Sequence, residues 1–182
     1  MGRDKAWLEI DGRPMIQRVI EELLRVTPAV SVIANDAEYN RLGFPVLPDL
    51  NAGVGPLEAI RVALAASSAP TVLLIACDLP FVTSELLEFL LHRADGYQAV
   101  VPVSSAGRLE PLCALYSTQA LEPVTELISS GERKVSLLFE RVPARLIPFE
   151  DLRRLAGAER FFTNVNTPQD YARAIGTLPV QG

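Results

Sequence analysis

Blocks of apolar residues with two different periods follow one another along the chain. Residues 71–77 form an uninterrupted apolar, β-branched run that ends at Asp78, Leu79 and Pro80. Such a run is typical of a buried strand in the centre of a parallel sheet. From Pro14 onward, Met15, Ile16, Val19, Ile20, Leu23 and Leu24 recur at the spacing of one helical face, which predicts an amphipathic helix.

The same two patterns alternate through the rest of the chain. Helical spacing returns after Pro56, over residues 84–93, between Leu121 and Phe139, and after Thr167 and Pro168, which have the residue types of an N-cap and first helical position. Further strands are predicted at residues 31–34, 45–47, 98–103 and 145–148, with an antiparallel partner strand at 109–116. This alternation predicts a three-layer α/β fold: a mostly parallel, Rossmann-like sheet with helices on both faces.

Composition narrows the classes of protein. The chain has 182 residues, 49% of them hydrophobic, which suits one domain with a sizeable core. A net charge of −5 without a basic tract argues against nucleic acid or an anionic membrane surface as a partner. Cys77 and Cys113 are too few for a disulfide framework or a zinc site and are predicted to be buried. Without a membrane span or signal peptide in the sequence, we expect a cytoplasmic protein.

Polar residues follow several of the predicted strands. Asn35, Asp49 and Asp78 each come after a strand, and a loop containing Gly53 and Gly55 leads into the helix that begins near Pro56. In open α/β sheets, ligands bind beyond the carboxyl ends of the strands, and a glycine loop before a helix can approach a phosphate or a base closely. The simpler interpretation is that these residues only cap helices and form turns.

Lys5 and two asparagines complete the set of candidate residues. Asn164 and Asn166 lie on one face of an extended segment, where they either contact a ligand or tie down a loop. A lysine, a carboxylate able to hold Mg²⁺ and a glycine loop are the groups that phosphoryl or nucleotidyl transfer requires.

Taken in order, these segments resemble the molybdenum cofactor guanylyltransferase (MobA-like) family. The resemblance rests on Met1-Gly2-Arg3-Asp4-Lys5, Asn35, Asp49, Gly55-Pro56-Leu57, Cys77-Asp78-Leu79-Pro80-Phe81, Glu110-Pro111-Leu112 leading to Leu115-Tyr116, and Asn164-Val165-Asn166-Thr167-Pro168. It covers almost the whole chain. The lysine and aspartate motifs occur in many nucleotidyltransferases, whereas the Gly-Pro-Leu, Glu-Pro-Leu and Asn-Val-Asn-Thr-Pro segments favour the guanylyl branch.

The resemblance implies transfer of GMP from GTP to molybdopterin, with Mg²⁺ as cofactor and pyrophosphate as the second product. It assigns catalysis to Lys5 and Asp78, with Asp78 as the metal ligand. The implied GTP-binding residues are Lys5, Asn35, Asp49, Gly53, Gly55, Pro56, Leu57 and Asp78. Asn164 and Asn166 are implied on the side of the reacting phosphates or the acceptor. The molybdenum insertion protein and the molybdoenzyme apo-proteins are the implied partners.

The family pattern opens with a strand and a Leu-Ala-Gly-Gly loop ahead of the Met-Gly segment. We therefore expect residues 1–182 to form a single nucleotidyltransferase domain that lacks this strand and loop upstream of Met1. Two alternatives remain open on the sequence: a nucleotidyltransferase for another base or acceptor, such as a molybdopterin cytidylyltransferase or a sugar-phosphate enzyme, and a catalytically silent nucleotide-binding domain.

Overall fold

Seven helices and eight strands form an α/β fold in the part of the chain that a computed structural model describes, residues 4–49, 53 and 55–176. The helices are α1 (Met15–Leu24), α2 (Pro56–Ala66), α3 (Ser84–Leu91), α4 (Leu121–Ser129), α5 (Ser136–Arg141), α6 (Phe149–Leu152) and α7 (Pro168–Ala174). The strands are β1 (Glu9–Ile10), β2 (Arg13–Pro14), β3 (Val32–Ile33), β4 (Val46–Leu47), β5 (Thr71–Ile75), β6 (Ala99–Pro102), β7 (Cys113–Ser117) and β8 (Ala144–Ile147).

The main sheet has four strands in the order β5-β7-β6-β8. β6 and β8 are parallel, whereas β7 runs antiparallel to both of its neighbours, β5 and β6. Three strands therefore share one direction, and the antiparallel strand expected at 109–116 is present as β7. Two short pairs lie apart from this sheet: the antiparallel β1–β2 hairpin and the parallel β3–β4 pair.

Side chains on the two faces of the main sheet belong to two separate hydrophobic clusters. Along β7, Cys113 and Leu115 pack in one cluster with residues of α1 and α3, while Ala114 and Tyr116 pack in the other with residues of α2, α4 and α5. Because successive residues of a strand point to opposite faces, this alternation shows a sheet covered on both sides. The three-layer arrangement predicted from the sequence is confirmed.

The prediction of a buried central strand at residues 71–77 is wrong in two respects. β5 ends at Ile75, and Asp78 lies in the turn that follows. All five β5 residues are only partly buried, and among the described residues β5 pairs with β7 alone, so it is an edge strand of the four-stranded sheet. An apolar β-branched run looks the same in sequence in either position, because strand order is decided by tertiary pairing.

The two cysteines differ in depth. Cys113 is fully buried in β7, and Cys77 is partly buried in the turn after β5. Burial raises the pKa of the Cys77 thiol to about 11, and it also raises the pKa of Cys113. Both are free thiols. The helices of the described residues include none with the length and apolar character needed to cross a membrane.

Candidate active site

The Lys5 side chain joins two distant segments of the chain. Its Nζ donates to Asp78 Oδ2 at 2.8 Å and to Asn166 Oδ1 at 2.6 Å. The Asp78 side chain is 16% exposed, and that of Lys5 is 37% exposed. A cation, a carboxylate and an amide therefore meet where a ligand from solvent can still reach them.

Backbone contacts hold the Asn166 segment against the turn that carries Asp78. Val165 donates its N–H to the carbonyl oxygen of Asp78 at 3.0 Å, and its side chain is buried. Beyond Asn166, Thr167 and Asp170 form a reciprocal capping box at the start of α7, as the sequence predicted for the cap at Thr167. The pKa of Asp170 is lowered by hydrogen bonds with the Thr167 side chain and with the backbone of Thr167 and of Asn166. The partly buried Asn164 is on the same segment.

Asp4 and Tyr39 fix the backbone that precedes Lys5. Asp4 caps a short 3-10 turn, Lys5–Trp7, by accepting from the Ala6 N–H at 3.1 Å. Its other carboxylate oxygen accepts from the Tyr39 hydroxyl at 2.6 Å. Tyr39 itself is buried, and burial and the Asp4 carboxylate raise the pKa of its hydroxyl, so the group remains a donor.

Asn35 and Asp49 are tied together across the ends of β3 and β4. The Asn35 side chain donates to the Asp49 carbonyl oxygen at 2.9 Å and accepts from the Asp49 N–H, also at 2.9 Å. Such a pair of bonds mimics one more rung of strand pairing beyond the two short strands. It orients the loop that leads from β4 toward α2.

Gly53 and Gly55 lie in that loop, and both have a backbone conformation that side-chain-bearing residues rarely adopt. Their φ angles are +106° and +78°, and a Cβ added to either residue would meet no heavy atom of the described residues within 4 Å. Gly55 is the N-cap of α2 and Pro56 its first residue. Leu57 is fully buried in the core.

Parts of two predicted motifs lie outside the described residues. These are residues 1–3 of the opening Met-Gly-Arg-Asp-Lys segment and residues 50–52 and 54 of the glycine loop. The described members of both motifs are Asp4, Lys5, Gly53 and Gly55.

Asp78 carries the carboxylate of this site that could hold a metal ion. No cluster of three or more His, Cys, Asp or Glu residues that could hold a metal exists within residues 4–49, 53 and 55–176. Mg²⁺ is usually held in phosphate-transfer sites by one or two carboxylates, water and the substrate itself. The partly exposed carboxylate of Asp78 fits that pattern.

Two buried carboxylates near these residues were given no role by the sequence. Glu58 is fully buried at the first turn of α2 and binds the Arg61 guanidinium with two bonds of 2.7 Å. Glu110 lies just before β7, is also buried, and its Oε1 has no hydrogen-bond partner among the described residues. An acid flanked by apolar residues was the available signal at both positions.

Comparison with known families identifies relatives of this chain. Residues 1–145 match the MobA-like NTP transferase domain. A probable molybdenum cofactor guanylyltransferase from Pelotomaculum thermopropionicum is 38% identical over 96% of this chain and 85% of its own length. A molybdenum cofactor guanylyltransferase from Vibrio parahaemolyticus is 26% identical over 94% of this chain and 86% of its own length.

Solved structures resemble the fold as well. The molybdopterin-guanine dinucleotide biosynthesis protein A of Archaeoglobus fulgidus superposes with a TM-score of 0.81 at 28% identity, over 97% of this chain and 91% of its own. The 2-C-methyl-D-erythritol 4-phosphate cytidylyltransferase of Thermus thermophilus, at 21% identity and a TM-score of 0.68, covers 95% of this chain and 93% of its own and shares the fold. The match over most of the chain and the similarity to its relatives lead to one conclusion: the chain belongs to the family of MobA-like NTP transferases.

Proposed function

We propose that this protein transfers GMP from GTP to the terminal phosphate of molybdopterin. An oxygen of the acceptor phosphate forms the new bond to the α-phosphorus of GTP. The bond from that phosphorus to the β-phosphate oxygen breaks, and its electron pair leaves with pyrophosphate. No covalent intermediate with the protein is required.

The observation that carries the proposal is the convergence of Lys5, Asp78 and Asn166. The Lys5 ammonium lies within 2.8 Å of an oxygen of Asp78 and of an oxygen of Asn166. It supplies positive charge beside the Asp78 carboxylate, which is partly exposed to solvent. Nucleotidyl transfer depends mainly on positioning and on the stabilisation of phosphate charge, because the two substrates themselves supply the nucleophile and the leaving group. Lys5 would contact the triphosphate and Asn166 the reacting phosphates.

The nucleoside side of the proposed site is formed by the ends of β3 and β4 and the loop before α2. Asn35 and Asp49, already joined by two hydrogen bonds, would hold the guanosine portion. The glycines at 53 and 55, with the backbone of Pro56 and Leu57, would line the base. The choice of guanosine as the nucleoside is supported by the relatives, of which one is a molybdenum cofactor guanylyltransferase and another a probable one.

Mg²⁺ is the proposed cofactor, with Asp78 as its protein ligand. When bound, the ion would neutralise charge on the triphosphate. Asn164, on the same segment as Asn166, would face the acceptor. We further propose a cytoplasmic location, and hand-over of the product to the molybdenum insertion protein and to molybdoenzyme apo-proteins.

Pyrophosphate release with purified protein, molybdopterin, Mg²⁺ and either GTP or CTP tests the function. Activity with GTP that falls by at least about 100-fold in Asp78→Asn supports it. Preference for CTP would reassign the protein to the cytidylyl branch. Binding of GTP without pyrophosphate release, at any acceptor concentration, would instead identify a catalytically silent nucleotide-binding domain.

A further inference from the structure

Glu110 is a buried acid whose side chain is only partly satisfied. Only 9% of the residue is exposed, and its Oε1 lacks a hydrogen-bond partner among residues 4–49, 53 and 55–176. Burial raises the pKa of Glu110, and the Asp78 charge adds to the rise, while a hydrogen bond with Ser104 and the Arg108 charge oppose it. A buried carboxyl oxygen without a partner costs stability, so it calls for an explanation in terms of a ligand.

Two backbone hydrogen bonds attach Glu110 to β6 and to β7. Its N–H donates to the Pro102 carbonyl oxygen at the end of β6 at 2.9 Å, and its own carbonyl accepts from the Cys113 N–H at 3.0 Å. The side chain is therefore presented from a fixed position.

The pairing of β5 with β7 brings Glu110 beside the turn that carries Asp78. Ile75 is the register partner of Cys113, and the Ala76 N–H donates to the Leu112 carbonyl oxygen at 2.7 Å. The pairing of these two segments therefore extends to Ala76, two residues before Asp78, and to Leu112, two residues after Glu110. The electrostatic influence of Asp78 on Glu110 agrees with this proximity.

Glu110 and the nucleoside residues lie on different sides of Asp78. Cys77, the neighbour of Asp78, packs in one cluster with Val32 and Ala34 of the β3 segment, which leads to Asn35. Glu110 instead lies just before β7, which pairs with β5. If the base of GTP occupies the β3–β4 side and the phosphates lie at Asp78, the β7 side is left for the acceptor.

We propose that the Glu110 carboxylate binds the acceptor by accepting hydrogen bonds from N–H groups of its pterin ring. This inference rests on the proposed function and names the part of the acceptor that the protein recognises. A carboxylate repels the acceptor's phosphate, but it matches the amino and ring N–H donors of a pterin. Bonds from those donors would satisfy Oε1, which is unpartnered within the described part of the chain.

Steady-state kinetics of Glu110→Gln and Glu110→Ala, with GTP and molybdopterin varied separately, tests the proposal. The KM for molybdopterin should rise about tenfold in the glutamine variant and more in the alanine variant, because a charge-assisted bond is weakened and then removed. The KM for GTP should stay unchanged. Glu122→Gln, an exposed acid in the first turn of α4, is the matched control.

A binding measurement provides a second readout that does not depend on turnover. Quenching of the fluorescence of neopterin phosphate should report weaker binding to both Glu110 variants than to the parent protein, with Mn²⁺ affinity unchanged. Unaltered acceptor KM and neopterin phosphate affinity would overturn the proposal, and so would a loss confined to Mn²⁺ or GTP binding, which would assign Glu110 to the metal. If the parent protein itself releases no pyrophosphate from GTP, it is the proposed function that fails.

Discussion

The ammonium group of Lys5 lies 2.8 Å from the Asp78 carboxylate, although 73 positions separate the two residues along the chain. A partly exposed ion pair of this kind contributes little to the stability of a fold. The proposed function gives a reason for its geometry, because the same ammonium also reaches Asn166 at 2.6 Å.

Replacing Lys5 by alanine should lower the rate of pyrophosphate release by about 100- to 1,000-fold, the usual effect of removing one preorganised charge donor from such a site. The thermal midpoint should change little, because the ion pair is partly exposed. Lys134→Ala is a matched control, since Lys134 is the other lysine of the sequence and is exposed. Retention of more than about a tenth of the activity in Lys5→Ala would contradict the role of this residue.

Tyr39→Phe should alter the position of Lys5 indirectly, through Asp4. The variant loses the 2.6 Å hydrogen bond to Asp4, whose carboxylate caps the turn that begins at Lys5. We expect a loss of about 1–2 kcal/mol in the free energy of unfolding and a several-fold lower turnover. Tyr97→Phe, at an exposed tyrosine just before β6, controls for the loss of one tyrosine hydroxyl. Equal kinetics in the two variants would argue against a positioning role for Tyr39.

Asn35→Ala should weaken GTP binding and spare the acceptor. Both hydrogen bonds between its side chain and the Asp49 backbone disappear, so the loop beyond β4 loses its attachment to β3. Calorimetric titration with GTP should show an increase in Kd of about tenfold, and the free energy of unfolding should fall by about 1–2 kcal/mol. Asn40→Ala, at an exposed position between the same two strands, should leave the GTP affinity as it is. An unaltered Kd in Asn35→Ala would remove this residue from the nucleoside site.

Glu110→Gln should stabilise the protein at neutral pH. The pKa of Glu110 is raised above its ordinary value of 4.5, so the folded state holds the proton more tightly than the unfolded state does. The native protein therefore loses stability as the pH rises from below 4.5 through the folded-state pKa, and a neutral amide removes that loss. Denaturant unfolding should show a higher midpoint for the variant at about pH 7 and no difference at about pH 4. A variant that is less stable at about pH 7 would indicate that the carboxylate is satisfied in the folded state.

Local signals in the sequence predicted much of the secondary structure. Thr167 and Pro168 marked the start of α7, and the apolar spacing after Pro14 predicted α1, because capping groups and helical periodicity act over a few residues. The edge position of β5 could not be predicted in this way, since it depends on which strands pair with it.

In the candidate site, too, local signals could be interpreted from the sequence and long-range contacts could not. Asp78 and Lys5 both stood out as candidate residues, but no local pattern specifies a direct contact between two residues so far apart in sequence. The bond from Tyr39 to Asp4 was not anticipated, because Tyr39 belongs to no motif and nothing in the sequence links it to Asp4. Glu110 was part of a recognised segment, yet its burial and its unpartnered oxygen emerged only in three dimensions.

The environment of the two thiols makes the protein a convenient host for site-specific labels. With a pKa of about 11, Cys77 is almost wholly protonated at physiological pH, and Cys113 is also enclosed in the core. Thiol-directed reagents are electrophiles that the thiolate attacks, so both native residues should react slowly in the folded protein. A cysteine introduced at the exposed position of Lys134 would then take up a fluorophore or spin label selectively, with both native cysteines left in place.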